Sequence, residues 1–114
     1  MIVLMATKTV KQGKVPQRYL RFQKDYPRVF KAYRDLGETV SEAGPLDRRQ
    51  REPVRLGIAI GSRHEGAVHS PTRRALEAGC TPAEIRQAAL LSVTSLGFPN
   101  MMAALSWVAD VLNQ

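Results

Sequence analysis

Two histidines lie close together near the middle of the sequence and are the clearest candidates for acid–base chemistry. His64 and His69 are separated by four residues, and Arg63 and Glu65 flank the first of them. An unperturbed imidazole exchanges its proton close to neutral pH, so such a cluster is suited to general acid–base catalysis. A histidine in a polar segment at the start of a helix is also often a capping or surface residue. Both interpretations stay open for each histidine.

The other common kinds of reactive site have weaker support. The two histidines do not have a metal-ligand spacing such as His-x-x-x-His, and the carboxylates are scattered. Cys80 is the only cysteine, so no internal disulfide can form. A lone cysteine is most often a small buried residue, with a reactive thiol as the alternative. We therefore expect no metal and no cofactor, and a reducing, cytoplasmic location.

Helices are the elements predicted to position these residues. The first half of the chain has apolar side chains spaced alternately three and four residues apart, which is typical of a helical seam. Pro27 should divide this region into a short helix and a longer one that ends near Ala43. The seam is either a packing face within one subunit or a surface that also meets a neighbouring subunit. Its members are Tyr19, Phe22, Tyr26, Val29, Tyr33, Leu36 and Val40.

A third helix is expected after Asp47, whose side chain can cap its first turn. Its apolar pattern ends at Gly61-Ser62. Pro53 allows two interpretations: the regular helix begins near Glu52 with Pro53 in its first turn, or the helix has a kink.

Glycine and a capping box mark the remaining helices. Gly79 is suited to end the next helix, because glycine readily adopts positive φ. Residues 81–84, Thr-Pro-Ala-Glu, form a capping box that opens a helix extending to Gly97. A last helix should place Met101, Leu105, Val108 and Leu112 on one face.

The length of the chain limits it to one domain. With 114 residues, 44% of them hydrophobic, we predict one all-α domain of about six helices over residues 15–114, preceded by a flexible arm at residues 1–14. A core of this size is thin, which favours self-association through an exposed apolar face.

Positive charge is concentrated in the first half of the chain. Residues 1–55 contain 13 Lys and Arg and 6 Asp and Glu, whereas residues 56–114 contain four of each class. Because the basic residues alternate with aromatic and acidic residues at helical spacing, they indicate a solvated face, and a nucleic-acid partner is not expected. The apolar run at residues 1–6 is too short for a signal peptide or a membrane span.

Three segments of the second half resemble the carboxymuconolactone decarboxylase and alkylhydroperoxidase D-like family. The resemblance implies an alkylhydroperoxidase D-like helical bundle that assembles into homotrimers or homohexamers, with its active site near the subunit contacts. It covers a little over half of the chain. The segments are Arg-His-Glu-Gly-Ala-Val-His at 63–69, Ala-Leu-Glu-Ala-Gly-Cys-Thr-Pro-Ala-Glu-Ile at 75–85 and Gly-Phe-Pro at 97–99.

The peroxidase branch of this family uses Glu, eleven residues, and then Cys-x-x-Cys-x-x-x-His. Glu52 matches the glutamate, but His64, Ala67 and Pro71 stand at the other three positions. Reduction of a peroxide by a dithiol requires one thiolate to attack and a second thiol to resolve the sulfenic acid. Peroxidase activity is therefore disfavoured.

The decarboxylase branch implies acid–base chemistry on a small carboxylated, lactone-like substrate. Such a reaction needs a proton carrier and guanidinium groups that hold the carboxylates. The histidine that this branch usually has at position 71 is absent, which favours a second hypothesis, a catalytically silent member that binds a ligand or partner. The candidates are His64 and His69 as proton carriers, Glu52 or Glu65 as their partner, Arg63, Arg73 and Arg74 as anion clamps, and Trp107 at a substrate pocket.

Overall fold

A computed structural model describes residues 17–113 of the chain. These residues form seven α-helical segments and contain no strand, which confirms the predicted all-α class. The arm predicted at residues 1–14 lies outside the described residues. The helices are α1 (Gln17–Asp25), α2 (Pro27–Ser41), α3 (Arg48–Ser62), α4 (Glu65–Glu77), α5 (Pro82–Leu90), α6 (Val93–Leu96) and α7 (Phe98–Leu112).

The helices belong to two compact units, the first ending at Pro45 and the second beginning at Leu46. Helices α1 and α2 lie in the first unit, and α3 to α7 lie in the second. None of the helices described is long and apolar enough to cross a lipid bilayer.

Phe30 is the buried side chain of the first unit within its described part. The Tyr19 ring of α1 meets the Phe30 ring of α2 edge to face, with 5.6 Å between centroids. Pro27 begins α2, and Tyr26 separates the two helices, as the position of the proline predicted. The contact of α1 with α2 therefore uses the Phe30 side of α2.

In the second unit, α4 packs against both α3 and α7, and α5 packs against α3 and α7. Leu56 of α3, Val68 of α4 and Val108 of α7 are completely buried where these helices meet. Burying each of these side chains contributes about 1.5–3 kcal/mol, so the three contacts hold the α3–α4–α7 arrangement together. The whole core cluster is Leu56, Ile60, Val68, Ala75, Cys80, Ile85, Ala89, Ala104 and Val108.

Reciprocal hydrogen bonds cap two helices of the second unit. The Asp47 carboxylate accepts from the Gln50 backbone N–H at 2.9 Å, and the Gln50 side chain accepts from the Asp47 N–H at 3.0 Å. Thr81 and Glu84 make the same pair of bonds at the start of α5, at 3.1 and 2.8 Å. Both predicted helix starts are confirmed.

Pro53 lies inside α3, which begins at Arg48, so the alternative with a helix start near Glu52 is wrong. Proline has no N–H, and it therefore leaves the carbonyl four residues earlier, that of Arg49, without its helical donor. The Cys80 thiol lies 3.5 Å from this oxygen and donates to it. The cysteine is thus a buried structural residue that compensates for Pro53.

The helix predicted to extend from the capping box to Gly97 is interrupted. Helix α5 ends at Leu90, and α6 begins at Val93. The Ser92 hydroxyl donates to the Ala89 carbonyl at 2.7 Å, a local bond that competes with the helical pattern. Gly97 follows with a φ of 91°, and it ends α6 as predicted.

Candidate active site

His69 and Asp110 form the hydrogen bond that links α4 to α7. The His69 Nε2 atom lies 3.1 Å from Oδ2 of Asp110, and Oε2 of Glu65, one turn earlier on α4, is 3.8 Å away. Packing of α4 on α7 through Val68 and Val108 brings the two side chains together. Because an ionised carboxylate only accepts hydrogen bonds, Nε2 carries the hydrogen, and Nδ1 is left to exchange a proton.

Asp110 was not among the residues predicted for the site. It is the only charged residue of α7, between the buried side chains of Val108 and Val111. A lone carboxylate on an otherwise uncharged helix is a signal that sequence analysis can detect. Its partner, however, depends on how α7 packs, and no local pattern reveals that.

Glu65, His69 and Asp110 also form the one group of potential metal ligands among residues 17–113. Their ligand atoms all lie within 4.8 Å of one another. Glu65 and Asp110 are exposed to solvent, and the hydrogen bond between His69 and Asp110 explains their proximity without a cation. The arrangement is therefore suited to holding and moving a proton.

Arg73 follows His69 by one helical turn, so both side chains belong to the same face of α4. It is half-buried and has no hydrogen bond or ion pair with another residue in the described part of the chain. Burial lowers the pKa of Arg73, and the neighbouring charge of Arg74 acts in the same direction, whereas the negative charge of Glu77 opposes both effects. A bound anion would relieve both effects.

Glu52 is buried between two arginines. Its Oε1 accepts from Nε of Arg74 at 3.2 Å, and its Oε2 accepts from Nη1 of Arg55 at 3.0 Å. Arg74 also donates to the Ser70 hydroxyl at 2.7 Å. The structure thus unites two predicted site residues, Glu52 and Arg74, but as an ion pair between α3 and α4 and not as partners of a histidine.

Glu77 lies one helical turn after Arg73, on the face of α4 that also contains Glu65 and His69. Its side chain is only 5% exposed, and its Oε1 lies 3.4 Å from Nη2 of Arg48. The second oxygen, Oε2, is buried without a hydrogen-bond partner in the described residues. Burial raises the pKa of Glu77, although three nearby arginines oppose the shift.

The remaining predicted site residues lie elsewhere. His64 precedes α4, is exposed, and makes no side-chain capping bond. Arg63 is exposed in the left-handed conformation, with a φ of 63°, where α3 ends. Trp107 is half-buried and packs against the core from α7. Of the two histidines, only His69 has a carboxylate partner in the described structure.

The positions that match the peroxidase motif contain no thiol in this chain. Ala67 is exposed on α4, and Pro71 is buried. Cys80 is 6% exposed, and burial raises the pKa of its thiol, which disfavours the reactive thiolate.

An open groove of about 420 Å³ lies on another side of the second unit. It contains no ionisable side chain, and none of the predicted site residues lines it. Pro53 and Val54 of α3 face Leu91 and Leu96 across it. The groove offers apolar contact and has no group of its own for acid–base chemistry.

The fold and this site together describe an all-helical protein with a histidine–aspartate pair beside a half-buried arginine. The sequence matches the model of the carboxymuconolactone decarboxylase family over residues 27–110. The chain belongs to this family. No curated protein and no solved structure gave a match.

Proposed function

We propose that this protein is a small-molecule enzyme that uses acid–base chemistry to decarboxylate a carboxylated, lactone-like substrate. The observation that carries the proposal is the contact of His69 with Asp110, one helical turn from Arg73, whose guanidinium makes no hydrogen bond to another side chain within residues 17–113. Membership of the family supports the class of substrate. It does not identify the compound.

His69 is the proposed proton carrier. When the bond to the leaving carboxylate breaks, its electron pair stays on the substrate and is delocalised into the lactone, while CO2 departs. The protonated imidazole then delivers a proton from Nδ1 to that carbon, and water restores the proton to the histidine. Asp110 acts as a positioning residue, because its bond to Nε2 fixes the orientation of the ring.

Arg73 is the proposed binding residue for a carboxylate of the substrate. A guanidinium group forms paired, charge-assisted hydrogen bonds with a carboxylate. Since Arg73 has no such partner within residues 17–113, its donors are available to a ligand. Arg74 is occupied by Glu52 and Ser70, so its role is to hold α4 against α3.

The test is decarboxylation of γ-carboxymuconolactone by the purified protein, followed as release of CO2. His69→Ala should lower kcat by about 100-fold or more, because general acid catalysis typically contributes 10²–10⁴. His64→Ala is the matched control, since His64 is exposed and lacks a carboxylate partner in the described chain. Equal activity of the two variants would overturn the assignment to His69.

A catalytically silent, ligand-binding protein is the second candidate. Pro71 favours it, because a buried proline occupies the place where the decarboxylase branch has a histidine. In that case, calorimetry should detect binding of the lactone while no CO2 is released. Arg73→Ala should weaken this binding roughly 10-fold to 150-fold, whereas His69→Ala should leave it unchanged.

Assembly into a homotrimer or homohexamer and a cytoplasmic location remain part of the proposal. A reducing compartment agrees with a single buried cysteine.

A further inference from the structure

Glu65, His69 and Asp110 each place one potential ligand atom in the same small region at the surface of the second unit. Nε2 of His69 is 3.1 Å from Oδ2 of Asp110 and 3.8 Å from Oε2 of Glu65, and all three atoms lie within 4.8 Å of one another. The carboxylate of Glu65 is too far from Nε2 for a hydrogen bond, and its side chain makes no other polar contact within residues 17–113. A third ligand atom therefore lies beside the hydrogen-bonded pair without bonding to it.

The negative charge of these two carboxylates is not neutralised by a basic side chain. Neither Glu65 nor Asp110 forms an ion pair with a lysine or arginine in the described part of the chain, whereas Glu52, Glu77 and Glu84 each have an arginine partner. The two carboxylates share one imidazole, which can offset at most one negative charge. Because like charges at this separation repel each other, a divalent cation between them would be favourable.

The separations of the three atoms are close to those within a zinc site. Ligand atoms of a tetrahedral Zn²⁺ lie about 2.0–2.2 Å from the ion and therefore about 3.3–3.6 Å from one another. The distances from Nε2 of His69 are 3.1 Å to Asp110 and 3.8 Å to Glu65, so two edges of the tetrahedron are nearly formed. His69 follows the buried Val68 and Asp110 precedes the buried Val111, so the packing of α4 on α7 fixes both backbones. The Glu65 side chain is 56% exposed and can rotate towards the ion.

We infer that Glu65, His69 and Asp110 bind one Zn²⁺ ion through Oε2, Nε2 and Oδ2, with water as the fourth ligand. An imidazole nitrogen with two carboxylate oxygens suits Zn²⁺, whereas Ca²⁺ and Mg²⁺ prefer oxygen ligands alone. The three side chains are 26–56% exposed, so water can reach the fourth position, as in open zinc sites. The sequence alone predicted no metal, because Asp110 joins the two α4 residues only when α7 packs against them.

Binding of Zn²⁺ does not depend on the proposed decarboxylation, although the two would exclude each other at His69. The ion takes the place of the hydrogen that Nε2 shares with Asp110, and this hydrogen moves to Nδ1 of a neutral ring or is released to water from a protonated one. A ring that holds Zn²⁺ cannot also become the protonated imidazole, so Zn²⁺ should inhibit the proposed reaction. Binding without inhibition would support the zinc site and contradict the proposed role of His69.

Calorimetric titration of the full chain with Zn²⁺ tests the site without substrate. The wild type should bind one ion per chain, and His69→Ala, Asp110→Asn and Glu65→Gln should each weaken binding at least about tenfold. His64→Ala is the matched control, because it removes the other histidine, which is exposed and has no carboxylate partner in the described structure, and it should leave the affinity unchanged. Absence of binding to the wild type, or equal weakening by His64→Ala and His69→Ala, would overturn the inference.

Visible absorption of the protein titrated with Co²⁺ tests the kind of ligands. Tetrahedral Co²⁺ absorbs much more strongly in the visible range than the hydrated ion, so the wild type should gain bands that His69→Ala lacks. Coordination by nitrogen and oxygen gives no thiolate charge-transfer band in the near ultraviolet. Such a band would show that the ion binds Cys80 instead, and a spectrum equal to that of hydrated Co²⁺ would show that the three side chains do not hold the ion. Either spectrum would overturn the inference.

Discussion

His69 and Asp110 are 41 residues apart in the sequence, and yet their side chains form a hydrogen bond of 3.1 Å. The bond connects the middle of α4 to the last turn of α7. It occurs beside the completely buried pair formed by Val68 and Val108, so the core of the second unit fixes its geometry. In the proposed function, the imidazole held in this way is positioned for proton transfer before the substrate binds.

Arg73 should contribute to substrate binding more than to turnover. A charge-assisted hydrogen bond is worth about 1.5–3 kcal/mol, so Arg73→Ala should raise KM roughly 10-fold to 150-fold with little change in kcat. Arg86→Ala, on the exposed side of α5, is the matched control and should leave KM unchanged. Steady-state kinetics on the lactone measures both. If the two variants had the same KM, Arg73 would not bind the substrate.

Glu52 should be important for stability because it neutralises two arginines within the second unit. Its side chain is 4% exposed, and removal of one member of a buried ion pair costs about 3–5 kcal/mol. Arg55 and Arg74 keep some access to water, so we expect Glu52→Gln to lower the free energy of unfolding by about 3 kcal/mol. Asp25→Asn breaks the exposed pair with Arg21 and should cost at most about 1 kcal/mol. Urea denaturation that gave equal losses would contradict the buried pair.

Glu77 should make stability depend on pH. Burial raises the pKa of its carboxyl in the folded protein, so the folded state holds this proton more tightly than the unfolded state. Stability due to Glu77 is therefore present below its ordinary pKa and is lost as the pH rises through the raised value. Between pH 4 and pH 7 the wild type should lose the stability due to Glu77, and Glu77→Gln should not. The free energy of unfolding of Glu77→Gln should therefore rise relative to that of the wild type over this range. Urea denaturation at both pH values measures the difference, and a constant difference would refute the role of Glu77.

Cys80 should be protected from thiol reagents in the folded protein. Its burial and its raised pKa both disfavour the thiolate, so a disulfide reagent such as DTNB should modify native protein at least about tenfold more slowly than protein unfolded in urea. The rate is followed by absorbance at a single pH. Equally rapid reaction in both states would mean that the thiol is accessible, and peroxide chemistry at Cys80 would need to be reconsidered.

Local signals in the sequence predicted most of the helix boundaries. The Asp47 and Thr81 caps, the break at Pro27, and the helix ends at Gly79 and Gly97 each depend on contacts within about four residues. The interruption after Leu90 was missed, because the bond of a serine hydroxyl to a nearby carbonyl competes with an otherwise regular apolar pattern.

Contacts distant in sequence could not be predicted in this way. The sequence indicated His69 but not Asp110, and it assigned Glu52 as a candidate partner of a histidine. The pairing of Glu52 with Arg74 and of Cys80 with the Arg49 carbonyl arises only when α3, α4 and the start of α5 pack together. The local periodicity of the sequence does not show which polar atoms are brought together when these helices pack.

A double-mutant cycle on kcat tests most directly whether Asp110 works through His69. The four proteins are wild type, Asp110→Asn, His69→Ala and the double variant, all assayed on γ-carboxymuconolactone. We predict that Asp110→Asn lowers kcat by a factor on the order of ten to a hundred in the presence of His69 and has no further effect once His69 is alanine. The same loss in both backgrounds would contradict the central claim that the two residues form one catalytic pair.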